Sequence, residues 1–305
     1  MSRQSPLRHT VTSLVIATVS MFATMAPASA IVNPDREIAL GEASFTALIE
    51  VNEDGERYIW CSGVLIAPDI VLTAAHCVLG VDDFSTWVVR VGTVEYSNGG
   101  TSRRVQGVVM HDKYERQQGE PVFDLGTGDV IDFVGADVRA GENNYDADVA
   151  LLLLNSSVKS VKPVKFAPSG YRPVQGWRAY GYGATGENED ESPARLLTAA
   201  QRQLPSPEND LDGPFDRVIT AGPPLESRSG TCWGDSGGPL LDGSGVLIGI
   251  TSFGIDEICS TNGPTIFTRV SAFARWIDRA AHLLRMTTRH TPRSSRDPVA
   301  VVNLA

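Results

Sequence analysis

Between Ile31 and Val270 the chain alternates short runs of β-branched and aromatic residues with breaks of Gly, Pro, Asn and Asp. The runs are Ala47–Val51, Tyr58–Ile66, Ile70–Leu72, Trp87–Val91, Val105–Met110, Val149–Leu154, Arg178–Tyr180, Val218–Ile219, Pro239–Leu241, Val246–Ser252 and Ile266–Val270. Such runs read as strands and their punctuation as turns, so antiparallel sheet closed into barrels is expected. Helical periodicity is absent until the end. There Ser271 can cap a run in which Phe273, Trp276, Ile277, Ala280, Leu283 and Leu284 recur at helical spacing, which predicts one terminal helix over 271–284.

Residues 1–30 follow another pattern. Arg3 and Arg8 precede an apolar run from Val11 to Met25, and Ala28-Ser29-Ala30 supplies the small residues that signal peptidase reads. About 15 apolar residues fall short of the roughly 20 a spanning helix needs. A removable secretory signal is therefore expected rather than an anchor, and with it a secreted, extracellular protein free of the membrane. Residues 156–168 are polar, basic and Pro-containing, and read as a connector between halves at about 31–155 and about 169–270. Past Arg285 the apolar pattern stops, and 285–305 reads as a mobile tail.

The 305 residues, 42% hydrophobic and 20% charged, suffice for one large core or two small ones. Lysines and arginines number 26 against 36 acids. Loss of residues 1–30 removes Arg3 and Arg8, leaving 24 against 36 and a net charge of −12. That sign argues against nucleic acid or an anionic membrane as the partner. Four cysteines behind an export signal point to disulfides over metal or redox chemistry. Three connectivities are possible, and the local one, Cys61–Cys77 with Cys232–Cys259, is preferred.

The most specific chemical signal is Gly234-Asp235-Ser236-Gly237-Gly238-Pro239. A serine hydroxyl is a weak nucleophile that needs an adjacent base and donors aimed at the developing oxyanion. Glycines around Ser236 let the backbone turn so that the N–H groups of Gly234 and Ser236 both face a reacting carbonyl. Alone, the hexapeptide also fits a Gly-rich hairpin. In Leu72-Thr73-Ala74-Ala75-His76-Cys77 a histidine sits among small residues at the end of an apolar strand, where its imidazole can take a serine proton near neutral pH. Asp148 opens the run Val149-Ala150-Leu151, and an acid at the mouth of a buried strand is costly without a partner. His76 is the natural one. Asp146 competes for the role, and Asp148 is preferred because it abuts the strand.

Thr73–Cys77, Asp148–Leu152 and Gly234–Pro239, in the order His, Asp, Ser, resemble the three catalytic blocks of the trypsin/chymotrypsin family. Gly181-Tyr182-Gly183, Thr251–Gly254 and Phe273–Ile277 resemble further blocks, so the likeness covers roughly residues 31 to 284. The resemblance implies an all-β fold of two packed six-stranded antiparallel barrels with a C-terminal helix. It implies a serine endopeptidase that works through an acyl-enzyme, on protein or peptide substrates, with proteinaceous inhibitors as further partners. No cofactor and no metal are expected, and a monomer is. The alternative is an inactive homologue acting as a binding protein, which would ordinarily lack a triad member. An esterase would need a Gly-x-Ser-x-Gly elbow and the order Ser, Asp, His, neither of which is found.

The resemblance also carries finer expectations. Cleavage after Ala30 leaves Ile31-Val32-Asn33 at the new terminus, similar to the family's start, although Pro34 stands where glycine is usual. Its ammonium would pair with Asp235. The primary pocket would be formed by Gly230, Ser252, Phe253, Gly254 and Thr265. Gly230 stands where a trypsin-type enzyme has aspartate, so cleavage after Lys or Arg is not expected; Glu226 is the one nearby acid that could bend in. The His76 to Asp148 interval is long for the family, with the excess in Glu115–Asn144. Its acids, among them Asp124, Asp129, Asp132, Asp137 and Glu142, suggest calcium but match no calcium loop, so a solvated insertion is expected.

Overall fold

The structure is a computed structural model that describes residues 31, 36–53, 55–81, 83–114, 120–123, 130–134, 147–184, 195–205, 216–225, 227, 229–254, 263–289 and 300–301. Six antiparallel strands form the first barrel: β2 (Thr46–Glu53), β3 (Glu56–Ala67), β4 (Ile70–Thr73), β5 (Trp87–Val91), β6 (Thr101–Met110) and β9 (Ala150–Leu154). The ring runs β2-β3-β4-β9-β6-β5 and closes where β2 pairs with β5. The second barrel comprises β10 (Trp177–Gly181), β11 (Leu197–Gln203), β12 (Val218–Gly222), β13 (Pro239–Leu241), β14 (Leu247–Gly254) and β15 (Thr265–Arg269), closed by β11 on β12. Both rings are extended by a two-residue strand, β1 (Arg36–Glu37) on β11 and β16 (Ala300–Val301) parallel to β6.

The continuous apolar run of β9 has a simple cause. Alternate side chains of a strand point to opposite faces. Ala150, Leu152 and Leu154 fill the first barrel with Ile49, Leu65 and Val89, whereas Leu151 and Leu153 point outward against the second barrel and the terminal helix. Both faces are dry. Ile70 and Leu72 of β4 face the shared layer in the same way, and Val71 faces the barrel interior. The second barrel has its own interior around Leu240, Ile248 and Phe267.

Residues 156–168 follow the last strand of the first barrel and are pinned at intervals. Val158, Val161 and Val164 are buried, the N–H of Val164 is donated to Leu65 and that of Ala167 to Leu247. The terminal helix α1 spans Val270–Arg289, a longer element than the periodicity predicts. Val270 opens it instead of ending β15, and Ser271 lies within its first turn. It continues past Leu284 because Arg285 grips Asp69 through Nε and a terminal nitrogen, and Thr287 and Thr288 donate to carbonyls one turn back.

Strand β11 was absent from the sequence pattern: Leu-Thr-Ala-Ala-Gln-Arg-Gln has weak strand preference, and its place comes from pairing with β10 on one side. Within the insertion, β7 (Glu120–Phe123) and β8 (Val130–Val134) pair as a two-stranded sheet. Asp124, Asp129, Asp137 and Glu142 lie outside the described residues, as do Asp146, Glu226, Cys259 and the proposed signal segment.

Candidate active site

His76 stands in a 3-10 turn, Ala75–Cys77, directly after β4. Two covalent and polar constraints fix it. Cys77 is bonded to Cys61 of β3, and the backbone N–H of His76 donates to Asp148 Oδ1 at 2.9 Å. Its ring Nδ1 lies 2.8 Å from Asp148 Oδ2. Asp148 is 1% exposed and precedes β9, which pairs with β4, so the adjacency of two residues 72 apart is a product of barrel register. Ala147, just before it, holds a φ of 79°, a conformation that costs an L-residue about 1 kcal/mol.

The second barrel closes on the same carboxylate. Ser252 Oγ donates to Asp148 Oδ2 at 2.5 Å, and Thr268 Oγ1 donates to the Asp148 carbonyl at 2.8 Å. Ser252 lies on β14, the expected pocket strand, and its hydroxyl faces the acid. Nothing in the sequence near either residue signals this contact, which spans 104 positions.

Burial disfavours a charged imidazole at residue 76, but the charge and hydrogen bond of Asp148 outweigh it and raise its pKa above 6.5. Burial would likewise raise Asp148; His76 and the Ser252 hydroxyl hold it below the usual carboxylate range.

Ser236 follows a tight turn at the head of β13. Gly234 has a φ of 87°, a region that favours glycine, so the hexapeptide turns sharply there. The first barrel holds this segment from below: Ser62 donates its N–H to the Ser236 carbonyl at 2.9 Å and its hydroxyl to the Gly234 carbonyl at 2.8 Å. The N–H groups of Gly234 and Ser236 are given to no backbone carbonyl among the described residues. Ser236, Gly234 and His76 line one cleft of about 720 Å³.

Asp235 points the other way, into the protein, where it is 1% exposed. It accepts the N–H groups of Gly183 and Cys232. Burial outweighs those bonds and lifts its pKa to about 7. Ile31 is fully buried against Leu197 and Ala199 of β11. Leu197 pairs with Gly181, and a methyl group on Gly181 would lie 1.9 Å from Asp235 Oδ1. Ile31 and Asp235 thus flank the same strand pair.

Among the expected pocket residues, Gly230 and Thr265 are buried, Phe253 is half-buried and Gly254 exposed. Thr231 and Thr265 share a hydrogen bond of 2.8 Å. Cys232 is disulfide-bonded too. The Cys61, His76 and Cys77 side chains are the one group among the described residues close enough to hold a metal ion, but their sulfurs form the disulfide, which leaves no thiolate ligand.

Two closed antiparallel barrels with a serine, a histidine and a buried acid brought to their junction define the class: a hydrolase of the serine endopeptidase type. The sequence model of the family described as Trypsin matches residues 34–277. This chain belongs to that family. It is 31% identical to the trypsin of Saccharopolyspora erythraea, over 73% of this chain and 86% of that one. With bovine proproteinase E the identity is 31%, over 83% and 95%, and with mouse kallikrein-1 it is 29%, over 71% and 78%. The fold matches that of neuropsin, a serine protease expressed in the limbic system of mouse brain, with a TM-score of 0.59 at 24% identity, over 81% of this chain and 98% of that one. Membership makes proteins the substrate class.

Proposed function

We propose that this chain is a secreted serine endopeptidase in which Ser236 is the nucleophile, His76 the general base and Asp148 the residue that orients the imidazole. His76 takes the hydroxyl proton as Ser236 Oγ bonds to the scissile carbonyl carbon, and the N–H groups of Gly234 and Ser236 receive the oxyanion. The C–N bond then breaks, His76 gives its proton to the departing amine, and water releases the acyl group by the same steps in reverse. The observation that carries the reading is the 2.8 Å contact of His76 Nδ1 with a buried carboxylate at the edge of the cleft that contains Ser236.

Reaction with a fluorophosphonate tests it. The wild type should be labelled, Ser236→Ala should not, and His76→Ala should lose turnover by about 10⁶. Labelling that survives Ser236→Ala places the nucleophile elsewhere.

Two finer readings accompany it. Cleavage before Ile31 frees an ammonium to pair with Asp235, and the burial of both residues beside Leu197 and Gly181 supports this. A φ of 58° at β-branched Ile31 is a strained state that the same cleavage removes. An extra residue before Ile31 should abolish activity; undiminished activity rules out the inserted terminus. Gly230, with no charge to offer, supports selection of an uncharged side chain before the cut. A clear preference for arginine in a substrate panel defeats that assignment.

A further inference from the structure

Three aromatic side chains among the described residues are strongly exposed: Tyr58 and Trp60 at 50% each and Trp233 at 42%. All three line the cleft that contains Ser236 and His76. Exposed aromatics are costly to hydrate, and their gathering in one cleft beside a reactive group marks a contact surface.

The surface is also held in place. Trp60 Nε1 donates to the Cys77 carbonyl at 2.7 Å, and its ring stands 6.2 Å from that of Trp87. The Tyr58 hydroxyl donates to Glu56 at 2.9 Å. Ile59, between them, reaches within 3.6 Å of the place a Gly234 side chain would occupy, so the end of β3 adjoins the turn that carries the nucleophile. Rings fixed before a ligand arrives lose little freedom on binding it.

Direction follows from the mechanism. In the proposed mechanism His76 hands its proton to the leaving amine, so the chain after the scissile bond begins on the His76 side of the nucleophile, and His76 lines this cleft together with Cys61 and Cys77. Gly230, Phe253, Gly254 and Thr265, expected to receive the side chain before the bond, line none of it.

We infer that Tyr58, Trp60 and Trp233 form a site for a bulky apolar or aromatic residue immediately after the scissile bond, and that this enzyme selects its substrates on the leaving-group side. The inference rests on the triad reading above. The occupant is the substrate chain itself, because the rings are continuous with the reacting centre rather than set on a separate face.

Digestion of a peptide mixture randomised on both sides of the cut, read by mass spectrometry, tests this. Phe, Tyr, Leu and Met should exceed Gly at the first position after the cut by roughly tenfold, the return for burying a large apolar side chain. In Trp60→Ala that ratio should fall to about twofold whatever the change in overall rate, since the ratio compares substrates cleaved by one and the same enzyme. Trp60→Phe should keep the selection. Tyr58→Ala, at a half-exposed position, reports the same loss if Trp60→Ala is not recovered folded. Fluorophosphonate labelling with cleavage but no selection after the cut, or selection that Trp60→Ala and Tyr58→Ala leave intact, overturns the inference alone. Absence of both labelling and cleavage overturns the triad reading and the inference with it.

Discussion

His76 titrates between two opposed influences, a dry environment that disfavours its charge and a carboxylate that favours it, and the carboxylate wins. Its raised pKa has two consequences of opposite sign. As the proposed base it must be neutral to act, so kcat/KM should fall as pH drops through a value above the ordinary one for histidine. The ion pair stabilises the fold fully below the unfolded value, and that part is lost as pH rises through the folded one. Asp148→Asn removes the charge and leaves the burial, so the acid limb of the pH–rate profile should move to lower pH while kcat falls by about 10⁴. A limb that stays put means another group sets the profile. The sequence singled out the three side chains of the proposed triad because their neighbours are unusual: glycines about Ser236, small residues about His76, an apolar strand after Asp148. Ser62 escaped notice and the contact of Ser252 with the acid went unread because their hydroxyls act on groups 172 and 104 positions away.

At the level of elements, the site depends on short segments braced by cross-links and close packing. Cys61 and Cys77 tie β3 to the turn that bears His76 across a separation of 16 residues. The double variant Cys61→Ser, Cys77→Ser should lose about 3 kcal/mol of stability in chemical denaturation, from the freed loop of the unfolded chain. Activity should fall further than stability accounts for, as the turn loosens. Gly181 ends β10 against the Asp235 carboxylate, where a methyl group would sit 1.9 Å from an oxygen. Gly181→Ala should therefore cost at least about 2 kcal/mol and displace the turn before Ser236, and a thermal melt beside a labelling assay reads both. Hydrophobic runs located most strands of both barrels. They missed β11, whose alanines and glutamines are strand residues only by virtue of their partners, and they ended the helix early because Arg285 and Thr288 hold its last turns with polar contacts.

Across the whole molecule, each barrel supplies what the other needs. The first provides His76 and Asp148 and supports the Ser236 turn through Ser62; the second provides Ser236 and grips Asp148 through Ser252 and Thr268. The proposed activation by cleavage before Ile31 would act on the segment that carries Ser236, through Asp235. With Ile31 still bound to Ala30, Asp235 is buried with a pKa of about 7 against roughly 3.9 when unfolded. A raised acid lowers stability as pH climbs from the unfolded value to the folded one. The uncleaved chain should thus weaken between about pH 4 and pH 7, and cleavage before Ile31 should flatten that slope, as measured by melting temperature across pH on both forms. A slope unchanged by cleavage dissociates Asp235 from the terminus. Local chemistry along the chain determined most strands, the terminal helix and which residues are candidates for the reaction, since alternation, capping and clustered glycines act over a few positions. Which hydroxyls steady the acid, where Ile31 is buried and how three aromatic rings come to wall the cleft were decided by tertiary structure alone, because only closing and packing the barrels brings such distant positions within reach of one another.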